Sequence, residues 1–584
     1  MNNMRNRYFF AIGLMLIVML TTYCTKKNEE SFSGAYKPAI ATYIKFIGTQ
    51  PTPAFGSAGT LVKFKVAGLD SLVAMVPGDI QFLLNGIESE IRSMSPKDST
   101  LTIVVPENAS SGAATIVVRD RMYFGPQFKV LGNVWLDSSF NRLTNDQQGN
   151  IVLGSGTNGA VRKFYLEEIG AVQSIYVLGS FSQFNNQGSY NATSASGVVP
   201  SSRSYMLKLN PPDGAIKTDF AKGTGTNGVV TGLLPLTQFP GYLIFGGFSV
   251  YNGRDGVNNM TRIYTNGMLD STVQNVYNPN PLEPQFNIDT LPAFIGGFND
   301  GIIGSFLDKY QRIISVGNFS THRKNLYDLS TYTSVVRQVT YMRSVGAMDQ
   351  NGNLDTTYNF DVTRGQILKG ANADITGAVQ IRDGNSLNGR IIVVGGFTSF
   401  NNIPVQRIMM LDDNGQPDLS FQGRANGAVN RITYNATTRK LLVIGIFTEF
   451  NGMPTPSGIA MLNEDGSLDA TFTMGELART SSSSGNWITF AGQMNDGKIV
   501  IGGNFGRYKE PGSSTFITRQ NFMILNADGT LAANLNNTGA MSGTINDMLE
   551  TRSGTKRALL LGGSFSLFDN ETVGNIIRIG LEPK

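Results

Sequence analysis

Along most of the chain, short apolar-alternating runs are bounded by Gly, Pro, Asn or Ser. That pattern predicts short β-strands joined by turns, and few helices. Between about residues 37 and 131 four runs stand out: 61–66, 80–84, 101–105 and 114–118. Gly59-Thr60 opens a strand, Val105-Pro106 closes one and Ser111-Gly112 begins the next. Asn85-Gly86 predicts a tight hairpin turn. Strands of this kind over about 95 residues predict a small β-sandwich.

From about residue 132 the pattern repeats. An apolar strand ends in Gly-x-Phe seven times: Gly179-Ser180-Phe181, Gly246-Gly247-Phe248, Gly317-Asn318-Phe319, Gly395-Gly396-Phe397, Gly445-Ile446-Phe447, Gly503-Asn504-Phe505 and Gly563-Ser564-Phe565. Each is preceded, 16 to 20 residues earlier, by Gly-x-apolar opening another strand, from Gly159-Ala160-Val161 to Gly543-Thr544-Ile545. Each is followed by a strand, a turn such as Asp465-Gly466, and Leu-Asp-x-x-Phe, clearest at 354–358 and 468–472. Four short strands per unit, repeated about seven times, predict a β-propeller. The ends predict how the ring closes. The last unit stops after its third strand, 576–579, while a lone Leu-Asp-x-x-Phe copy, 136–140, stands before the first unit and can supply the missing outer strand. Residues 150–156 leave room for an eighth, partial blade. The fold class predicted is all-β, a small sandwich followed by a seven-bladed propeller.

Two resemblances accompany these patterns. The segment 37–131 resembles the immunoglobulin-like IPT/TIG domain, which implies a spacer. The repeat resembles the delta-60 propellers, through its Gly-Gly-Phe-Thr and Asp-Gly-x-Leu-Asp-x-Thr-Phe phrases, and that likeness covers the segment 132–584.

The N-terminus has a different pattern. Arg5 and Arg7 precede the apolar run 9–20, which is shorter than the ~20 residues needed to span a bilayer. A basic start and a short apolar run predict a secretory signal. The chain's single cysteine, Cys24, follows closely, so residues 1–23 resemble a bacterial lipoprotein signal in which Cys24 is lipidated. Tyr23 departs from the small residue usual before that cysteine. Residues 24–36 read as a flexible tether, and Lys27, Glu29 and Glu30 resemble the surface-export signal of Bacteroidota-type lipoproteins. The whole architecture is similar to accessory lipoproteins that accompany SusC/SusD-type nutrient importers. It implies an outer-membrane protein, lipid-anchored and facing the exterior, that binds a glycan or peptide or scaffolds assembly beside such an importer. A purely structural or adhesive surface protein, or a carboxylate-based glycan hydrolase, are the alternatives.

Composition narrows the chemistry. One Cys and one His in 584 residues exclude an intrachain disulfide and disfavour His-rich zinc sites and Ser-His-Asp or Cys-His nucleophile systems. A net charge of +4 does not suggest nucleic acid as a partner. The charged fraction, 15%, is well under the usual roughly 25%, and 67 Gly residues take up part of the difference. The Asp-Gly turns lack the ligand spacing of a calcium loop, so no metal or cofactor is expected. Scattered acids on inner strands, Asp383, Asp547 and Glu550, form no evident catalytic pair, and the expectation is a non-enzyme. Phe184, Tyr251, Phe400, Phe450, Tyr508 and Phe568 recur in nearly every unit, as packing residues would. His322 reads as solvated in an inserted loop.

Insertions concentrate in the connections between second and third strands and between blades, which share one face of a propeller. They carry Tyr190, Tyr277, Phe286, Tyr327, Tyr332, Arg507, Tyr508 and Phe516, and Trp487 replaces an aliphatic residue at the start of an inner strand near the channel mouth. Aromatic and Arg side chains suit sugar stacking or a protein interface, so these residues are the candidate binding set. The opposite turns, such as 495–498, stay tight.

Overall fold

A computed structural model describes residues 43–584 except 74, 76–78, 120, 146–150, 196, 362–365, 383, 456 and 480–487. Cys24 and the signal, tether and export motifs therefore lie outside the described residues, as do Trp487 and Asp383. No described helix is long and apolar enough to cross a membrane.

The first part is a two-sheet sandwich. One sheet has four strands, in the order Lys45–Phe46, Leu61–Ala67, Thr100–Val104, Ile91–Ser95. The other has five, in the order Phe55–Gly56, Arg121–Val130, Gly112–Val118, Ile80–Leu84, Ile87–Ser89. Alternation does what it should: in Leu61–Ala67, Val62, Phe64 and Val66 are buried while Lys63 and Lys65 face out. Phe64 and Phe82 meet across the sheets at 4.9 Å between centroids. Asn85 and Gly86 both have positive φ, as the hairpin reading requires.

The second part is a propeller of seven sheets. The inner strands are Val161–Ile169, Val229–Pro235, Ile302–Leu307, Ile375–Gln380, Val429–Asn435, Ile488–Gln493 and Ser542–Ser553, which open blades 1 to 7. Each pairs antiparallel with a second strand ending at the Gly-x-Phe motif, and that strand pairs with a third. The core lies between neighbouring blades: one apolar cluster joins Leu442 and Met461 of blade 5 to Ile499 and Met523 of blade 6. Side chains also tie blade to blade, as where Thr376 Oγ1 donates to Val429 O (2.6 Å) and Asn546 Nδ2 to Val161 O (2.8 Å).

The ring closes as the ends predict. Trp135–Leu136 is the fourth strand of blade 7, with Trp135 opposite Gly580 and Leu136 opposite Ile579. A buried ion pair fastens this seam: Arg578 Nε lies 2.6 Å from Asp137 Oδ2, with Arg578 Nη1 and Nη2 donating to Pro211 O and Pro212 O. The stretch that left room for an eighth blade is instead a two-stranded hairpin, Arg142–Asn145 with Ile151–Leu153.

The expected fourth strands are mostly reduced to one pairing, such as Leu411 with Pro417 or Leu462 with Leu468; blades 3 and 7 alone keep a regular one among the described residues. The Asp of Leu-Asp-x-x-Phe limits how far the pairing runs, in blade 3 as well, where the regular strand stops at Asp355. Asp418, Asp469 and Asp355 each accept the backbone N–H and hydroxyl of the residue two further on, which turns the chain off the sheet. The aromatic that follows then crosses to the next blade. Tyr358 lies against Gly415 and Phe421 against Gly466, where any side chain would strike the ring.

Candidate functional site

The insertions are hairpins of their own. Blade 1 carries Ser189–Ser194 with Gly197–Ser202, blade 3 carries Thr321–Asn325 with Arg337–Tyr341, and Ser271–Asn275 with Ile288–Pro292 connects blades 2 and 3. In blade 6, Arg507–Lys509 pairs with both Ile517–Thr518 and Glu476–Ala478. The same positions in other blades turn tightly. Asn401-Asn402, Asn451-Gly452 and Asp569-Asn570 have positive φ at both residues, the backbone of a type I′ turn.

The candidate residues part into two groups. Tyr508 and Tyr327 are buried, each hydroxyl donating to a backbone carbonyl, Gly529 O at 2.6 Å and Pro292 O at 2.7 Å. Burial pushes both phenols up to about 12. Both are packing residues, which corrects their place in the binding set. Tyr508 occupies the recurrent aromatic position also filled by the buried Phe184, Tyr251, Phe400, Phe450 and Phe568. Tyr190 is half-buried and its hydroxyl is held by Phe220 O at 2.6 Å. His322 is likewise buried, on a hairpin strand rather than in a solvated loop. Its ring meets Phe298 edge-on, its Nε2 has no partner, and burial lowers its pKa to about 4.

The other candidates are accessible. The connecting hairpin and the blade 3 hairpin lean together over a small core of Val276, Leu291 and Tyr327. Tyr277 N donates to Ser330 O at 2.6 Å, and the Phe286 and Tyr332 rings meet at 4.8 Å. On these two hairpins and their connections Tyr277 is 60% exposed and Tyr332 44%, and Val273, Leu282, Ile288, Leu329, Val339 and Tyr341 are also exposed. Arg507 and Phe516 form a separate pair on blade 6, the guanidinium 5.6 Å from the ring centroid.

The sandwich docks on this same face, beside blades 6 and 7. Ser111 N and Oγ both donate to Asn537 O (2.9 and 3.0 Å), and Arg519 Nη2 donates to Asn108 O at 3.1 Å. Lys129 reaches Asp569 and Glu571.

The central channel was not singled out by sequence. It holds a cavity of about 530 Å³, lined by the inner strands of all seven blades. The lining runs along the inner strands and reaches their tight-turn ends at Pro235, Arg382 and Ala436. The acids noted by sequence are engaged here and beside it: Asp547 pairs with Lys163 at 3.1 Å and accepts Phe164 N, and Glu550 pairs with Arg557. The cationic lining comes from three separate blades, as Lys163, Arg382 and Arg431, a scatter that no local motif reveals. The available signal was a charge at one register position of three inner strands, Lys163, Asp547 and Arg431, where blades 2, 3 and 4 carry glycine.

Comparisons with known proteins add to the fold. Residues 21–126 match a domain of unknown function, DUF5008. Residues 387–421 and 438–472 match a beta-propeller domain of unknown function, DUF5122. No curated protein matches the chain. Among solved structures the chain is similar to the WD40 beta propeller domain of Doa1, at 12% identity and a TM-score of 0.31, covering 73% of this chain and 93% of that one. It is also similar to an auxiliary nutrient binding protein from Bacteroides thetaiotaomicron VPI-5482, at 10% identity and a TM-score of 0.28, covering 92% and 97%. The chain is thus similar to DUF5008 over its sandwich and to the DUF5122 propellers over its fourth and fifth blades.

Proposed function

We propose that this protein is a non-catalytic, lipid-anchored subunit of the bacterial outer surface, which docks a partner protein on the paired hairpins of blades 2 and 3. The observation that carries this is the exposed aromatic and aliphatic surface around Tyr277 and Tyr332, set on two hairpins with a common core. Several large apolar side chains exposed on one pair of hairpins suit a protein interface, and insertions on one face of a repeat protein are where partners bind. The resemblance to accessory lipoproteins makes a SusC/SusD-type importer the partner of choice. Cys24 is the anchor in this reading, and Lys27, Glu29 and Glu30 carry the export signal.

The test is association with the importer in detergent extracts of outer membranes. Tyr277→Ala with Tyr332→Ala should cut co-purification at least tenfold. Tyr310→Ala should not, although Tyr310 is as exposed, because it lies on the tight-turn face. The opposite outcome would place the interface on the wrong side.

A further inference from the structure

The polar groups of the channel cavity are lopsided. Its acid, Asp547, is already paired with Lys163 and bonded to Phe164 N. Arg431 donates to Asn546 O and lies over the Phe490 ring, 5.0 Å from its centroid. Arg382 reaches Gln380 Oε1 at 3.4 Å and is otherwise exposed. Among the described residues neither guanidinium is in ion-pair contact with a carboxylate, and the Tyr165 hydroxyl has no hydrogen-bond partner. Arg382 stands on blade 4, Arg431 on blade 5 and Tyr165 on blade 1, yet all three line one cavity.

We propose that this cavity binds a carboxylate-bearing small molecule, with Arg382 and Arg431 donating to the carboxylate and Tyr165 adding a hydroxyl donor. A guanidinium fork matches a carboxylate in two parallel bonds. Arg431 is dehydrated and shares its nearby carboxylate charge, Asp547, with Lys163; a dehydrated cation attracts an anion more strongly than a fully solvated one. The volume is that of a ligand pocket. Asp547 in the same wall selects by charge: it repels a doubly charged phosphate more than a singly charged carboxylate. Phe164 and Phe490 give the ligand's apolar parts a wall to pack on.

Isothermal titration of the full chain tests this with digalacturonate and its methyl ester, acetyl-Glu-Glu-amide and its Gln-Gln counterpart, and inorganic phosphate. The expected result is that an acid binds, that its neutral counterpart binds at least tenfold more weakly, and that added salt weakens the acid. Arg382→Gln should lower affinity about tenfold with an unchanged melting temperature. Arg431→Lys, which keeps the charge but loses the fork, should also weaken binding. Response to digalacturonate alone assigns a sugar acid, and to the Glu peptide alone an acidic peptide. Failure of both acids to bind, equal binding of the neutral forms, tighter binding of phosphate, or wild-type affinity in both Arg variants would each overturn the proposal. Tyr277→Ala with Tyr332→Ala should bind the acid normally, so this test and that of the hairpin interface fail separately.

Discussion

Lys222 is 1% exposed, and its ammonium has Ser204 O at 2.6 Å but no carboxylate in contact. Burial lowers its pKa from 10.5 to about 7. Between those values the unfolded chain holds a proton that the folded chain does not, so stability rises with pH across that window. The penalty is full below pH 7 and vanishes above about 10.5. Lys222→Met should therefore raise the melting temperature at pH 6, with the gap closing as pH approaches 10; a gap independent of pH would refute the assignment. Arg578 and Asp137 are the opposite case. Burial alone would raise the Asp137 pKa, but hydrogen bonds from Ser139 and Ser553 and the Arg578 charge hold it below its usual value. Its contribution is present above the ordinary carboxylate range and is lost as pH falls through the lower folded value. Arg578→Ala, which strands a buried carboxylate, should cost about 3–5 kcal/mol in chemical denaturation. A loss under ~1 kcal/mol, the size of a surface pair, would mean that the seam does not depend on this contact. The burial of these charges was not legible in the sequence, because it depends on which other segments pack around them, Ser204 beside Lys222 and a strand 441 residues away for Arg578 and Asp137. His322 was misread for the same reason: an inserted segment was taken for a solvated loop, and it folds as a buried hairpin strand.

At the scale of elements, periodicity and turn chemistry were informative. Seven Gly-x-Phe strands became seven blades, and the stray copy at 136–140 became the closing strand, because strand pairing answers to local alternation and to unsatisfied edges. The fourth strands were over-read. Their Leu-Asp-x-x-Phe phrase looks like a strand, but its Asp forms a turn and its aromatic serves the next blade. Glycine in the Asn414-Gly415 and Asp465-Gly466 turns serves more than the turn, since Gly415 and Gly466 also make room for Tyr358 and Phe421. Two outcomes follow. Gly415→Val should destabilise by more than the ~1 kcal/mol of a positive-φ penalty, since it also strikes the Tyr358 ring; a smaller loss would show that the ring can move aside. Deleting residues 132–141 should open the edge of blade 7 and abolish cooperative melting or cause aggregation. A deletion that melts like the wild type would contradict closure by this strand.

At the scale of the molecule, the two faces carry different chemistry. The insertion face holds the docked sandwich and the apolar hairpins, and the channel lining carries cations and reaches the tight-turn end at Arg382. The insertion face was legible because loop lengths are written in the sequence. The channel was not, because its lining is assembled from the separate inner strands of all seven blades. The anchor has a simple test: Cys24→Ala should leave the protein unacylated and release it from the membrane fraction, and an equally membrane-bound mutant of unchanged mass would sink lipidation. The central claim is that a partner protein sits on the blade 2–3 hairpins. Its most direct measurement is site-specific photo-crosslinking in intact cells, with the photoreactive residue placed at position 277, 332 or 310. The account predicts a discrete crosslink to one outer-membrane protein from 277 and 332 and none from 310. Crosslinks from 310 alone, or none from 277 and 332, would contradict it.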